Sequence, residues 1–285
     1  MVSLFQLLLL FLAIGGSQQS QIVIPVSVKV QVQVPVEANI SVWLSGAAYC
    51  NKEAYDTMKV GGPAKDVVVT DIIYDKYTDL QGFVGVLESA REIYMVFRGT
   101  SSLLNWVDDV EIRQVPYTTF SECTDCAVHN GFYRSSNGVK SQCMNILQKY
   151  PNYKIIVTGH SYAAAIAQLI SMELLYNNIT SIAYTFGQPR IGNPNYANFV
   201  NEKFKNLWRF THNRDIVPHV PFMRYQHSCQ EIFQDGAGQY NKCSQVDGED
   251  PTCANQYAMY QTNVADHYTY LNHELDCEKS TMLRK

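Results

Sequence analysis

The stretch KIIVTGHSYAAAIAQLI, residues 154–170, decides how this chain is read. Ile155, Ile156, Val157 and Thr158 form a short β-branched run, which reads as a buried strand. The alanine-rich run after Ser161 reads as a helix, because alanine is the best helix former. Between them lie Gly159, His160 and Ser161. A serine on a sharp strand-to-helix turn is the arrangement of the G-x-S-x-G nucleophile elbow. Here Ala163 occupies the place of the second glycine. The neighbours two residues from the serine must be small, since strand and helix approach closely there. Gly159 meets that need and Ala163 adds one methyl. The stretch predicts a slightly tighter or shifted elbow rather than a broken one. The plainer alternative is a serine that only caps a helix.

Working outward, strand-like runs lie at 66–75, 82–88, 92–99, 153–159, 181–187 and 207–212. Helical stretches lie near 134–149, 162–176 and 195–205. Strands that alternate with helices predict an α/β fold, a mostly parallel central sheet flanked by helices. The first runs follow one another closely, so the sheet should open with antiparallel hairpins. No internal repeat and no second domain boundary is visible, and one domain is expected over 40–285. Before it, IVIPVSVKVQVQVPV (22–36) alternates almost strictly. Pro25 and Pro35 exclude a central strand position. The segment 18–39 is therefore expected to be extended, as an edge strand, a pro-segment or an arm.

The chain has 285 residues, 46% hydrophobic and 17% charged, with a net charge of −4. It is long enough for one large core. It has no Lys/Arg run, so nucleic acid is not an expected partner. The apolar run from Leu4 to Ile14 is too short to span a bilayer and is followed by small residues. It reads as a secretory signal peptide over 1–17, with no transmembrane segment. Eight cysteines fit an exported, disulfide-bonded chain. Asn39-Ile-Ser41 and Asn178-Ile-Thr180 are N-glycosylation sequons.

A nucleophilic serine needs a base for its proton and a carboxylate to orient that base. Asp215 follows LWRFTHNR and so sits in a loop at a strand end, where such sites collect their residues. Of the seven histidines, His219, His227, His267 and His273 follow it. Position along the chain leaves His267 and His273 both open.

Several separate motifs occur in one order: AAYC (47–50), VFRGTSSLLNWVDD (96–109), VHNGFY (128–133), VTGHSYAAA (157–165), TFGQPRIGN (185–193), FTHNRDIVPHVP (210–221), GEDPTC (248–253) and DHYTYL (266–271). On these the chain resembles the class 3, fungal-type, triacylglycerol lipases, which have the α/β-hydrolase fold. The resemblance implies Ser161 as nucleophile, Asp215 as acid and His267 as base. It implies Thr100 and Tyr162 as the backbone donors of the oxyanion hole. SSLLNWVDDV then resembles a helical lid, with Leu103, Trp106, Val107 and Val110 on one face and Leu104 beside them. Without the resemblance that stripe reads as an ordinary surface helix. Tyr162, Ala163 and Ala164 depart from the usual G-H-S-L-G-G-A pattern.

The resemblance also suggests disulfides Cys50–Cys277, Cys123–Cys126 and Cys243–Cys253. Cys143 and Cys229 would then pair with each other or leave a free thiol. Cys123-x-x-Cys126 with nearby His129 has no second ligand pair at zinc spacing, so no metal is expected. The chemistry implied is a secreted serine ester hydrolase, first a triacylglycerol lipase, working without cofactor and touching a lipid–water interface through its lid. A phospholipase A1 or feruloyl-type esterase on the same fold is the nearest alternative. A non-catalytic, lipase-like lipid-binding protein is the alternative from another class.

Overall fold

The computed structural model describes residues 30–100, 112–244 and 248–282. The expected signal peptide and the lid residues Leu103, Leu104, Trp106, Val107 and Val110 lie outside the described residues. In chain order the strands are β1 (Val30–Gln31), β2 (Val68–Asp75), β3 (Leu80–Leu87), β4 (Glu92–Phe97), β5 (Gln114–Pro116), β6 (Ala127–His129), β7 (Lys154–His160), β8 (Ile182–Phe186), β9 (Leu207–His212), β10 (Gln230–Gln234), β11 (Tyr240–Lys242), β12 (Thr269–Tyr270) and β13 (His273–Glu274). The helices are α1 (Val36–Ala47), α2 (Asn130–Leu147), α3 (Tyr162–Tyr176), α4 (Pro194–Lys203) and a short α5 (Cys277–Ser280). Nine strands form one sheet in the order β1-β11-β10-β9-β8-β7-β4-β3-β2.

The centre of the sheet, β4, β7, β8, β9 and β10, is parallel. The hairpins β2–β3 and β3–β4 are antiparallel, as the close spacing of those runs predicts. Every residue of β4 is buried. That is the pattern of a parallel strand covered on both faces. One face packs a core with Val84, Met95, Val157, Ala163 and Ile166. The other packs Ile40, Leu44, Tyr94, Ile156 and Phe186. Helix α3 buries almost its whole first three turns. Its alanines let it lie close against β7.

The N-terminal expectation needs a correction. Val30–Gln31 is an edge strand, paired antiparallel with β11. The extended stretch ends at Pro35, and helix α1 begins at Val36, inside the segment expected to be extended. Pro35 stands at the N-cap with φ −59 and ψ 149. Its locked φ suits entry into a helix, and its missing N–H is not needed there. Strands β10 and β11 and helix α1 are elements that periodicity did not predict.

Cys50–Cys277, Cys123–Cys126 and Cys243–Cys253 are disulfides. Cys143 and Cys229 are not bonded to each other; both are free and buried. Burial pushes each thiol up to about 12, which keeps both unreactive. His129 has a structural duty: its Nδ1 accepts the Phe132 N–H at 3.2 Å and caps α2. Glu231, Cys243 and Cys253 cluster at metal-ligand distances, but the disulfide consumes both sulfurs. Among the described residues no helix is long and apolar enough to cross a membrane.

Candidate active site

Strand β7 delivers Ser161 to the carboxyl end of the sheet, and α3 starts at the next residue. Ser161 has φ 62 and ψ −129. A left-handed φ is costly for a side-chain-bearing residue, and such strain gathers at functional sites. The packing accounts for it. A Cβ added at Gly159 would lie 2.5 Å from the Ala163 carbonyl oxygen and 2.9 Å from the Ala163 Cβ. The glycine on the strand side thus supplies the room, and the methyl of Ala163 occupies it. Ala163 and Ala164 are fully buried beside the turn. The Ser161 N–H donates to the Phe186 carbonyl at 2.9 Å, which ties the turn to β8.

Asp215 lies three residues beyond β9, and His267 lies in a 3-10 turn, Ala265–Tyr268. The His267 Nδ1 is 2.9 and 2.8 Å from the two Asp215 carboxylate oxygens. A carboxylate only accepts, so Nδ1 carries a proton, and in the neutral ring the lone pair is then on Nε2. Asp215 also accepts the Val217 N–H at 2.8 Å and the Tyr270 hydroxyl. Burial and the Asp215 charge hold the Tyr270 hydroxyl well above the usual phenol range. Its proton therefore stays on and points at Asp215. Gly187, with φ +57, walls this pair: a Cβ there would sit 2.8 Å from His267 Cε1 and 2.9 Å from Asp215 Oδ2.

Ser161 Oγ and His267 Nε2 are both buried, and neither has a hydrogen-bond partner among the described residues. His160 supports the histidine from beside the elbow. Its ring lies 4.2 Å from the His267 ring. Its Nε2 donates to the His267 carbonyl at 2.8 Å, so its Nδ1 accepts from the Tyr49 hydroxyl at 2.7 Å. Burial, then the nearby His267, keeps His160 well below the usual histidine range and hence neutral. His273 is elsewhere: it bonds Ser280 Oγ at 2.8 Å and stacks on Trp43 at 4.0 Å.

Thr100 and Tyr162 line one cavity of about 280 Å³, with Thr78, Asp79, Leu80, Arg98 and Gly99. The Tyr162 hydroxyl bonds Ser135 Oγ at 2.7 Å and donates to the Gly131 carbonyl at 3.2 Å. The ring that replaces the usual leucine is therefore anchored to the first turns of α2.

Residues 94–225 match the family described as Lipase (class 3). A secreted mono- and diacylglycerol lipase A of Penicillium cyclopium is 30% identical over 211 residues, which cover 67% of this chain and 68% of that protein. The chain belongs to the class 3 lipase family. A lipase of Rhizomucor miehei is 33% identical over 204 residues, 67% of this chain and 55% of the relative. The chain thus spans little more than half the length of that curated relative. The crystal structure of a lipase from Rhizopus microsporus var. chinensis superposes with a TM-score of 0.78 at 29% identity, covering 91% of this chain and 96% of that one. The architecture of the chain is the α/β-hydrolase fold.

Tyr49, His160, Gly187, Asp266 and Tyr270 are the neighbours that sequence reasoning did not single out. Two of them lay in plain view, since His160 adjoins the serine and Tyr270 stands three residues after His267. All five lie inside the quoted motifs, but their partners are distant in sequence, so the motifs alone do not show what they hold.

Proposed function

We propose that this chain is a secreted serine ester hydrolase acting on acylglycerols, with Ser161, Asp215 and His267 as its triad. His267 Nε2 takes the Ser161 proton as Oγ attacks the ester carbonyl. Asp215 fixes the ring by Nδ1 and stabilises the imidazolium. The backbone N–H groups of Thr100 and Tyr162 receive the developing oxyanion, at a few kcal/mol each in transition-state stabilisation. The alcohol leaves with the proton from His267, and water then cleaves the acyl-enzyme. Residues 101–110, with Leu103, Leu104, Trp106 and Val107, act as the lid that meets a lipid interface.

One observation carries this reading. Among the described residues, a buried serine hydroxyl without a partner sits on a left-handed turn, and an equally unpartnered Nε2 belongs to an Asp-oriented histidine. Export is supported by the three disulfides and by relatives named as secreted lipases. The test is to label purified protein with an active-site organophosphonate, alongside Ser161→Ala. Wild type should take one label and the variant none. If wild type takes no label and cleaves no short-chain ester, the non-catalytic alternative replaces this reading.

A second reading concerns substrate. The two secreted relatives are named mono- and diacylglycerol lipases, and Thr78, Asp79, Arg98 and Thr100 give the cavity a polar lining. Both favour partial glycerides, with free hydroxyls, over triacylglycerols. Rates on matched mono-, di- and triacylglycerols decide between them. A jump in rate at the solubility limit of a long-chain ester would support the lid, and smooth saturation would favour an esterase.

A further inference from the structure

We infer that Asp266 is a positioning residue that clasps the loop bearing His267 to the loop bearing Asp215. This inference rests on the triad proposed above. The two loops leave the sheet separately, and their triad members are 52 residues apart. Two backbone bonds link them: Ile216 N–H to the Asn263 carbonyl at 3.2 Å and Asn263 N–H to the Arg214 carbonyl at 2.8 Å. The Asp266 carboxylate adds to these. Its Oδ2 accepts the Asn213 amide at 3.0 Å, the Arg214 N–H at 3.1 Å and the Asn263 amide at 2.9 Å. Asp266 N–H donates to Asn263 Oδ1 at 2.8 Å, and the Asp266 carbonyl accepts from His212 Nδ1 at 2.9 Å.

Asp266 thus joins both loops and the end of β9 through the residue next to His267. Three N–H donors on one carboxylate oxygen make charge-assisted bonds, roughly twice as strong as neutral ones. Asn213 is itself held at its other end, since its Oδ1 accepts the Tyr257 hydroxyl at 3.3 Å. The direction of these bonds excludes a role as a second acid. Asp266 spends its carboxylate on Asn213, Arg214 and Asn263, while the His267 ring turns its Nδ1 to Asp215. The clasp acts on the placement of the base, and a displacement near 1 Å at a reacting group costs about 100-fold in rate.

The test compares wild type, Asp266→Ala, Asp266→Asn, Asn263→Ala and the Asp266→Ala/Asn263→Ala double variant. Turnover of a soluble short-chain ester is divided by the number of phosphonate-labelled sites, counted at completion by mass spectrometry. Asp266→Ala should lower kcat per site about 30- to 100-fold with KM within about twofold. Asp266→Asn keeps one acceptor oxygen and should lose less. Asn263→Ala should lose about 3- to 10-fold, and the double variant should be no worse than Asp266→Ala, because both changes open one clasp. Unchanged kcat per site, or losses that multiply in the double variant, would overturn the proposal. So would a loss confined to the number of sites, which would mean a folding role only. Should Asp266→Ala not fold, Asn263→Ala carries the same comparison. A second readout does not need catalysis. In ¹⁵N-histidine-labelled protein, the His267 Nδ1 proton should exchange at least about tenfold faster in Asp266→Ala than in wild type. Equal exchange would sink the clasp. An inactive wild type with faster exchange in the variant would instead remove the hydrolase reading and leave the clasp standing.

Discussion

The two halves of the candidate site are held by different physics. The elbow half is contiguous: β7, Ser161 and α3 follow one another over residues 154–176. Backbone geometry and close packing of Gly159 on Ala163 hold it, with the β7–β8 ladder and the Ser161 N–H bond to Phe186. The acid–base half is assembled from two loops, and polar bonds to Asp215 and Asp266 hold it. A site held by contact tolerates little added volume. A site held by hydrogen bonds tolerates volume better but suffers when one acceptor or donor is lost.

The largest expected effect tests the elbow. Gly159→Val places a branched side chain where even a Cβ would come within 2.5 Å of the Ala163 carbonyl. It should lower kcat at least about 100-fold and cost roughly 1–3 kcal/mol of stability, read by calorimetry. Near-native activity would mean that the contact is soft and that the contrast between the halves fails. On the other half, Tyr270→Phe keeps the volume and deletes one bond to Asp215. About tenfold lower kcat and about 1–3 kcal/mol less stability are expected, with no change in fold by circular dichroism.

Acid should discriminate next. His160, His227 and His219 are held below the usual histidine range by burial, and His273 is lowered to about 4 by the same cause. The unfolded chain binds these protons at a higher pH than the folded one. Stability is therefore full above about pH 6.5 and falls as pH drops below it, by up to about 1.4 kcal/mol per pH unit for each fully buried histidine. Denaturant midpoints between pH 7 and 5 should fall, and less so in His160→Gln. Equal slopes would remove His160 from the set. The smallest effect is reserved for Ala163→Gly. It should change kcat less than about threefold and cost about 1 kcal/mol of helix stability. A large gain in turnover would mean that the native methyl strains the elbow.

What was legible in the sequence follows the same division. The β-branched runs of β4, β7 and β8 read directly as buried strands, and α3 read to its ends. Strand β10 hid because Gln230, Glu231 and Gln234 are buried in it. Its polarity is satisfied from afar: Glu231 meets Arg209 at 3.2 Å and the Thr211 hydroxyl at 2.6 Å. Helix α1 hid behind the valine alternation, which runs through Val36 as though Pro35 did not end it. Spacing alone could not choose between His267 and His273, because the choice depends on which loop folds back onto Asp215. The class 3 lipase motifs supplied that choice by resemblance. Of the clasp residues, Asn213 and Asp266 lie inside quoted motifs and Asn263 outside them, but no motif shows that they bond to one another until the two loops meet.

The Cys50–Cys277 bond joins residues 227 positions apart and closes a ring that encloses nearly every strand and the whole proposed triad. Within that ring a single peptide-bond cut makes no fragment. A protease that nicks one exposed loop within it leaves a molecule of unchanged mass apart from one added water. Such damage would pass unseen on a non-reducing gel and appear as two bands only after thiol treatment. The chain can therefore be opened once without scattering its parts, and loss of function after mild proteolysis need not coincide with loss of the intact species.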